Sequence, residues 1–161
     1  MSDAGNRPSA WPDLAGRLTG AGHILPVRIY YEDTDFSGVV YHAAYLKFLE
    51  RGRSDFLRLC GIHHNELDDG LHGERLAFAA RRMEIDFLKP ARIDDVLEIV
   101  TVLEEAKGAR IVLRQEARRD DEVLMAAQVT IAVISRDGKP RRLPAGLAER
   151  LRPAAGDAGT R

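Results

Sequence analysis

One cysteine, Cys60, stands alone among 161 residues. A lone thiol cannot build an intramolecular disulfide framework, which suits a reducing cytoplasm. No Cys/His group has zinc spacing, so no structural metal is expected. Long apolar runs are also missing. Nothing approaches the roughly 18–20 residues of a membrane helix, so no membrane insertion is expected. Residues 1–22 hold Pro, Gly, Asn, Asp and Arg without a continuous apolar stretch, so no signal peptide is expected. An excess of one charge is missing as well. The formal net charge is −1, which leaves no global field for nucleic acid or an anionic membrane. An anionic ligand must therefore be met by a local cluster of Lys and Arg.

The residues present are those of a globular domain. Hydrophobic content is 45% and charged content 30%, in a chain long enough for one domain with a real core. The expected organisation is a flexible leader over 1–22, one domain over 23–151 and a flexible tail over 152–161. Val27, Ile29 and Tyr31 alternate with Arg28, Tyr30 and Glu32, the period of a half-buried strand. From His42 the period changes. Tyr45, Phe48, Leu49, Gly52, Phe56, Leu59 and Cys60 mark one face of a helix of about five turns. Gly52 on that face is compatible with close approach to a sheet. Gly61 stops the helix. A polar connection follows, with a short helical turn expected around Asn65–Asp69. Its His63, His64 and His72 read as loop histidines. Four strand signals come next: Leu76 to Leu88, Val96 to Leu103, Ile111 to Ala117 and Val123 to Ile134. Tight turns between successive strands predict an antiparallel sheet. One long helix on a sheet predicts an α+β domain: a curved, five-stranded antiparallel sheet wrapped around a central helix, the hotdog architecture. One helix covers only part of the sheet, so a dimer or tetramer is expected to cover the rest.

The stretch from Tyr30 to His42 joins strand to helix and carries the chemistry. A carboxylate just upstream of a helix N-terminus lies near unpaired backbone N–H groups and the positive end of the helix dipole. That pairs a base or nucleophile with an oxyanion site. Asp35, seven residues before His42, is the candidate. Asp33, Thr34 and Asp35 are equally residues that turns and caps use. Gly38 allows a positive φ or the close approach of a substrate. Gly38, Val40 and Tyr41 are candidate substrate contacts. His42 offers either an imidazole base or only its backbone N–H. Glu50 and Arg53 are a possible buried polar pair or simply exposed helix charges. Lys89, Arg92, Lys107 and Arg110 sit at or near turns, where cations either meet phosphates or are merely solvated.

These residues resemble a known family. The run Val27-Arg28-Ile29-Tyr30-Tyr31-Glu32-Asp33-Thr34-Asp35, with Gly38-Val39-Val40-Tyr41-His42, Tyr45 and Glu50-Arg51, is similar to the YbgC-type acyl-CoA thioesterases. These form part of the 4-hydroxybenzoyl-CoA thioesterase branch of the hotdog superfamily and are associated with the Tol-Pal system. A second block agrees: Asp86-Phe87-Leu88-Lys89-Pro90-Ala91-Arg92 with Asp94-Asp95-Val96-Leu97-Glu98. The resemblance spans roughly Ile24 to Leu147. It implies a hotdog homodimer or homotetramer that hydrolyses acyl-CoA, with no cofactor other than the coenzyme A of the substrate. It implies that Asp35 is catalytic and that the His42 backbone N–H meets the thioester carbonyl. It implies that strand-end cations, partly from a neighbouring subunit, hold the CoA phosphates. Phe36-Ser37 occupies a position that is often small or Pro-containing in the family, so a Phe there would reshape the acyl end. Two other readings are a hotdog hydratase or dehydratase, and a non-catalytic scaffold that binds acyl-CoA or acyl carrier protein.

Overall fold

The computed structural model describes residues 13–70 and 74–156. In chain order the elements are β1 (Arg17–Leu18), β2 (His23–Arg28), α1 (His42–Leu59), α2 (His64–Asp68), β3 (Leu76–Phe87), β4 (Val96–Lys107), β5 (Arg110–Arg119), β6 (Glu122–Ser135) and α3 (Ala145–Gly156). All strands join one antiparallel sheet in the order β1-β2-β4-β5-β6-β3. The hotdog α+β architecture expected from the pattern is thus present. The sheet has six strands where five were expected. The extra one is the two-residue β1, too short to leave a periodic signal. Residues 1–12 of the expected leader, and His72, lie outside the described residues.

The first strand also ends earlier than its alternation suggests. Tyr31–Asp33 form a single 3-10 turn. The cause is local polar competition with the ladder. The Tyr30 N–H donates to the Asp33 carboxylate at 2.9 Å, and Thr34 Oγ1 donates to the Tyr31 carbonyl at 2.7 Å.

α1 runs for 18 residues, the five turns its apolar spacing predicts. It buries Tyr45, Phe48, Leu49, Phe56 and Leu57 and packs on β2 and β4. Facing residues include Val27, Leu97, Ile99, Leu113 and Val129, all buried. Gly52 is the point of closest approach: a Cβ there would lie 2.8 Å from Ile99 Cγ2. The absent side chain lets α1 lie flat on the sheet. α3 was not foreseen, because only Leu147 and Leu151 give it an apolar stripe; both are buried, as is Leu143 just before it.

Candidate active site

The loop from Thr34 to Val40 is closed by its own backbone. Asp35 N–H donates to the Val39 carbonyl at 2.8 Å and Gly38 N–H to the Asp35 carbonyl at 3.0 Å. Gly38 sits at φ +79°, a conformation glycine adopts without steric cost, and nothing lies within 4 Å of where its Cβ would be. The positive φ anticipated for Gly38 is present.

Asp35 itself is exposed. One carboxylate oxygen, Oδ1, accepts from Ser37 Oγ at 2.6 Å, Ser37 N–H at 2.8 Å and Val39 N–H at 3.4 Å. The Ser37 hydroxyl and amide are the main reason its pKa lies below the ordinary carboxylate value, with help from Val39 N–H and the charge of His42. Donors to the charged form favour it. Asp35 is therefore ionised at neutral pH, with Oδ2 left for other work.

The helix start shows which amides are available. Tyr41 is the N-cap, with no side-chain cap, and its own N–H is spent on the Asp33 carbonyl at 2.9 Å. The Ala44 N–H donates to the Tyr41 carbonyl. That leaves the His42 and Ala43 amides, which precede the first intrahelical acceptor. The oxyanion donors suggested near Tyr41 and His42 thus reduce to His42 and its successor.

Beside the helix start lies a cavity of about 220 Å³, lined by Val39, Val40, His42, Tyr45, Phe87, Leu88, Lys89 and Pro90. Its wall is aromatic. The His42 ring lies 4.4 Å from that of Phe87, and Phe87 lies 5.7 Å from Tyr45. Val40 is buried and lines this cavity, whereas Tyr41 is exposed and stacks on the His42 ring. No carboxylate hydrogen-bonds the His42 imidazole among the described residues. Phe36 is fully exposed at 110% and is not among the residues that line this cavity.

The candidate phosphate-binding cations divide by position. Lys89 and Arg92 flank the cavity. Lys89 is paired with Glu122 at 3.0 Å, and Arg92 is exposed with its N–H on Asp95. Lys107 and Arg110 lie at the opposite end of β4 and β5, roughly 35 Å along the strand from Val96. Arg110 is paired with Glu105. Glu50 and Arg53 do not pair: Ser54 Oγ donates to Glu50, and Arg53 donates to Gln115.

Sequence reasoning missed two clusters. Arg119 joins Asp95, Glu122 and the Pro90 carbonyl behind the cavity. The buried His23 donates to or accepts from Asp55 at 2.7 Å, and Asp55 also holds Arg58. No spacing rule links residues that only the folded sheet brings together.

The thioesterase superfamily profile matches residues 37–126. The chain is 42% identical over 121 residues to the acyl-CoA thioester hydrolase YbgC of Escherichia coli O6:H1, covering 74% of this chain and 87% of that one. It is likewise 42% identical to the acyl-CoA thioesterase YbgC of Haemophilus influenzae, covering 70% of this chain and 81% of that one. This chain belongs to the YbgC acyl-CoA thioesterase family. Its fold also matches the crystal structure of a probable thioesterase from Bartonella henselae, at TM-score 0.74 and 50% identity, covering 77% of this chain and all of that one. The profile begins at Ser37, two residues past Asp35.

Proposed function

We propose that this YbgC-family protein hydrolyses acyl-CoA thioesters to a free acid and CoA, using Asp35 and the N-terminus of α1. The observation that carries this is the exposed Asp35, on a loop whose Val39 and Val40 line an aromatic cavity at the start of α1. The thioester carbonyl sits at the helix start, where the His42 N–H, with Ala43 beside it, stabilises the developing oxyanion. Asp35 Oδ2 either takes a proton from water as that water attacks, or attacks the carbonyl itself to form an anhydride that water then opens. In both routes the C–S bond breaks, CoA leaves as thiolate and is protonated, and the acid retains the new oxygen. No step needs a metal or a cofactor other than the CoA of the substrate.

Gly38, Val40 and Tyr41 form the substrate side of the loop in this reading. Lys89 and Arg92 serve the CoA phosphates of their own site. Lys107 and Arg110 serve only a neighbouring subunit's site. A homodimer, extending to a homotetramer, is supported by β3. This 12-residue strand pairs with β6 on one edge and, among the described residues, has no strand on the other. A cytoplasmic location and a link to the Tol-Pal system go with this reading, supported by the lone Cys60 and by the likeness to YbgC proteins. No helix among the described residues is long and apolar enough to cross a membrane. Acyl carrier protein remains an alternative carrier of the thioester.

The test is thiol release from a panel of acyl-CoAs by wild type and Asp35→Asn. Turnover by wild type that disappears in a folded variant supports the assignment; retained turnover sinks it. A hydratase is disfavoured because the His42 ring rests on Phe87 and no carboxylate among the described residues hydrogen-bonds it. Saturable acyl-CoA binding without turnover would instead support a scaffold.

A further inference from the structure

Among the described residues, no ion pair joins the Asp35 loop to the helix start. Its support comes from the segment between β3 and β4. Val40 N–H donates to the Ala91 carbonyl at 2.8 Å, and Val39 forms an isolated bridge with Arg92. Val39 in turn accepts from the Asp35 N–H and donates to its carboxylate. Residues 91 and 92 thus anchor the Val39–Val40 end of the loop, whose other end is tied by the Tyr41 N–H to the Asp33 carbonyl.

Arg119, the last residue of β5, holds that segment. Its Nη1 donates to Asp95 Oδ2 at 2.9 Å and to the Pro90 carbonyl at 3.4 Å, while Nη2 reaches Glu122 Oε1 at 3.3 Å. The same Asp95 Oδ2 accepts the Arg92 N–H at 2.9 Å, and the other oxygen of Glu122 accepts from Lys89. One guanidinium therefore ties together the end of β5, the start of β6 and both sides of Ala91. A fixed planar fork suits this role, and a lysine point charge does not.

Stability does not account for the arrangement. The Arg119 side chain is 33% exposed and its partners are also partly exposed, so such pairs contribute on the order of 1 kcal/mol or less. Their specific effect is on geometry. We propose that Arg119 is a positioning residue, which sets the Asp35 carboxylate against the α1 N-terminus by clamping Pro90–Arg92. This rests on the assignment of Asp35 above.

The test measures kcat and KM for acyl-CoA in wild type, Asp35→Asn, Arg119→Ala and Arg119→Lys. A misplaced catalytic group costs roughly tenfold to a hundredfold in rate, so Arg119→Ala is expected to lower kcat by about that factor with KM within about twofold. Arg119→Lys is expected to recover little, since it keeps the charge and loses the fork. An unchanged kcat in Arg119→Ala overturns the proposal while leaving Asp35 in place. A loss confined to KM also overturns it and makes Arg119 a ligand of the CoA phosphates. Turnover retained in Asp35→Asn removes the group to be positioned, and both readings fall together. If Arg119→Ala does not fold, Asp95→Asn loosens the clamp and keeps the guanidinium. A kcat drop in that variant supports the proposal, and a wild-type kcat overturns it.

Discussion

Asp35 and Asp55 are two aspartates, each near a histidine, with opposite surroundings. Asp35 lies exposed on a loop, and its partners are hydroxyl and amide groups two and four residues away. Asp55 lies on α1 and is 7% exposed; its partners are Arg58 one turn on and His23 from another strand. The first carboxylate keeps water and one free oxygen. The second has neither, and its histidine is fully buried with Nδ1 unpartnered among the described residues. The backbone at Gly16 even passes so close that a Cβ would collide with the Asp55 carboxylate. The same side chain is available for chemistry where its neighbours are local and wet. It becomes structural where it is buried itself and shared with a buried histidine from another strand.

The largest expected effect falls on the exposed member. Asp35→Asn should lower kcat on the order of 10²–10⁴-fold, the usual range for a lost acid–base group, with little change in unfolding midpoint. A large stability loss in that variant would erase the contrast. Asp55→Asn should do the reverse. Weakening the hydrogen bond to the buried His23 costs about 1–3 kcal/mol, measured by chemical denaturation, while the folded fraction keeps its kcat. A stable but inactive Asp55 variant would place both aspartates in catalysis. Gly52→Ala tests whether α1 can lift from β4. Overpacking against Ile99 should cost about 1–3 kcal/mol in the same assay. No loss would mean that the helix seat yields.

Two pH measurements sharpen the comparison. Ser37 supplies the main donors that hold the Asp35 pKa down. Activity that needs the carboxylate is lost as pH falls through that lowered value, so wild type should stay active into mildly acidic buffer. Ser37→Ala should move the acid limb of kcat/KM upward, with a small effect at neutral pH. An unmoved limb would mean that another group controls it. At the buried cluster, burial is the leading cause of a lowered His23 pKa, against the pull of Asp55. The unfolded chain then binds the proton more readily than the folded one. Stability should be full above roughly 6.5, the ordinary histidine value, and fall as pH drops below it. Thermal melts of His23→Gln should show a flatter acid side than wild type; identical slopes would assign the acid sensitivity to another group.

Much of the molecule was legible in the chain. The 3.6-residue spacing from Tyr45 to Phe56 specified α1, and Gly52 marked its contact with the sheet. The Asp35-to-His42 spacing specified the candidate site, because a loop and the helix it feeds are neighbours by connectivity. Charge at turns carried no information on which end of the sheet each cation occupies. Lys107 and Arg110 resembled Lys89 and Arg92 until the strands placed them at the far end of the sheet.

By itself, then, the sequence determined the elements whose cause is local: the amphipathic helix, the antiparallel strands, and a carboxylate loop pinned by its own amides. Tertiary structure decided which amides remain unspent at the helix start, which cations stand near the cavity, and that Arg119 holds the segment beneath Asp35. The reason is physical. Periodicity and turn chemistry act over a few residues, whereas a hydrogen bond from Arg119 to Pro90 exists only after β5 and the turn that follows β3 have been brought together by the sheet.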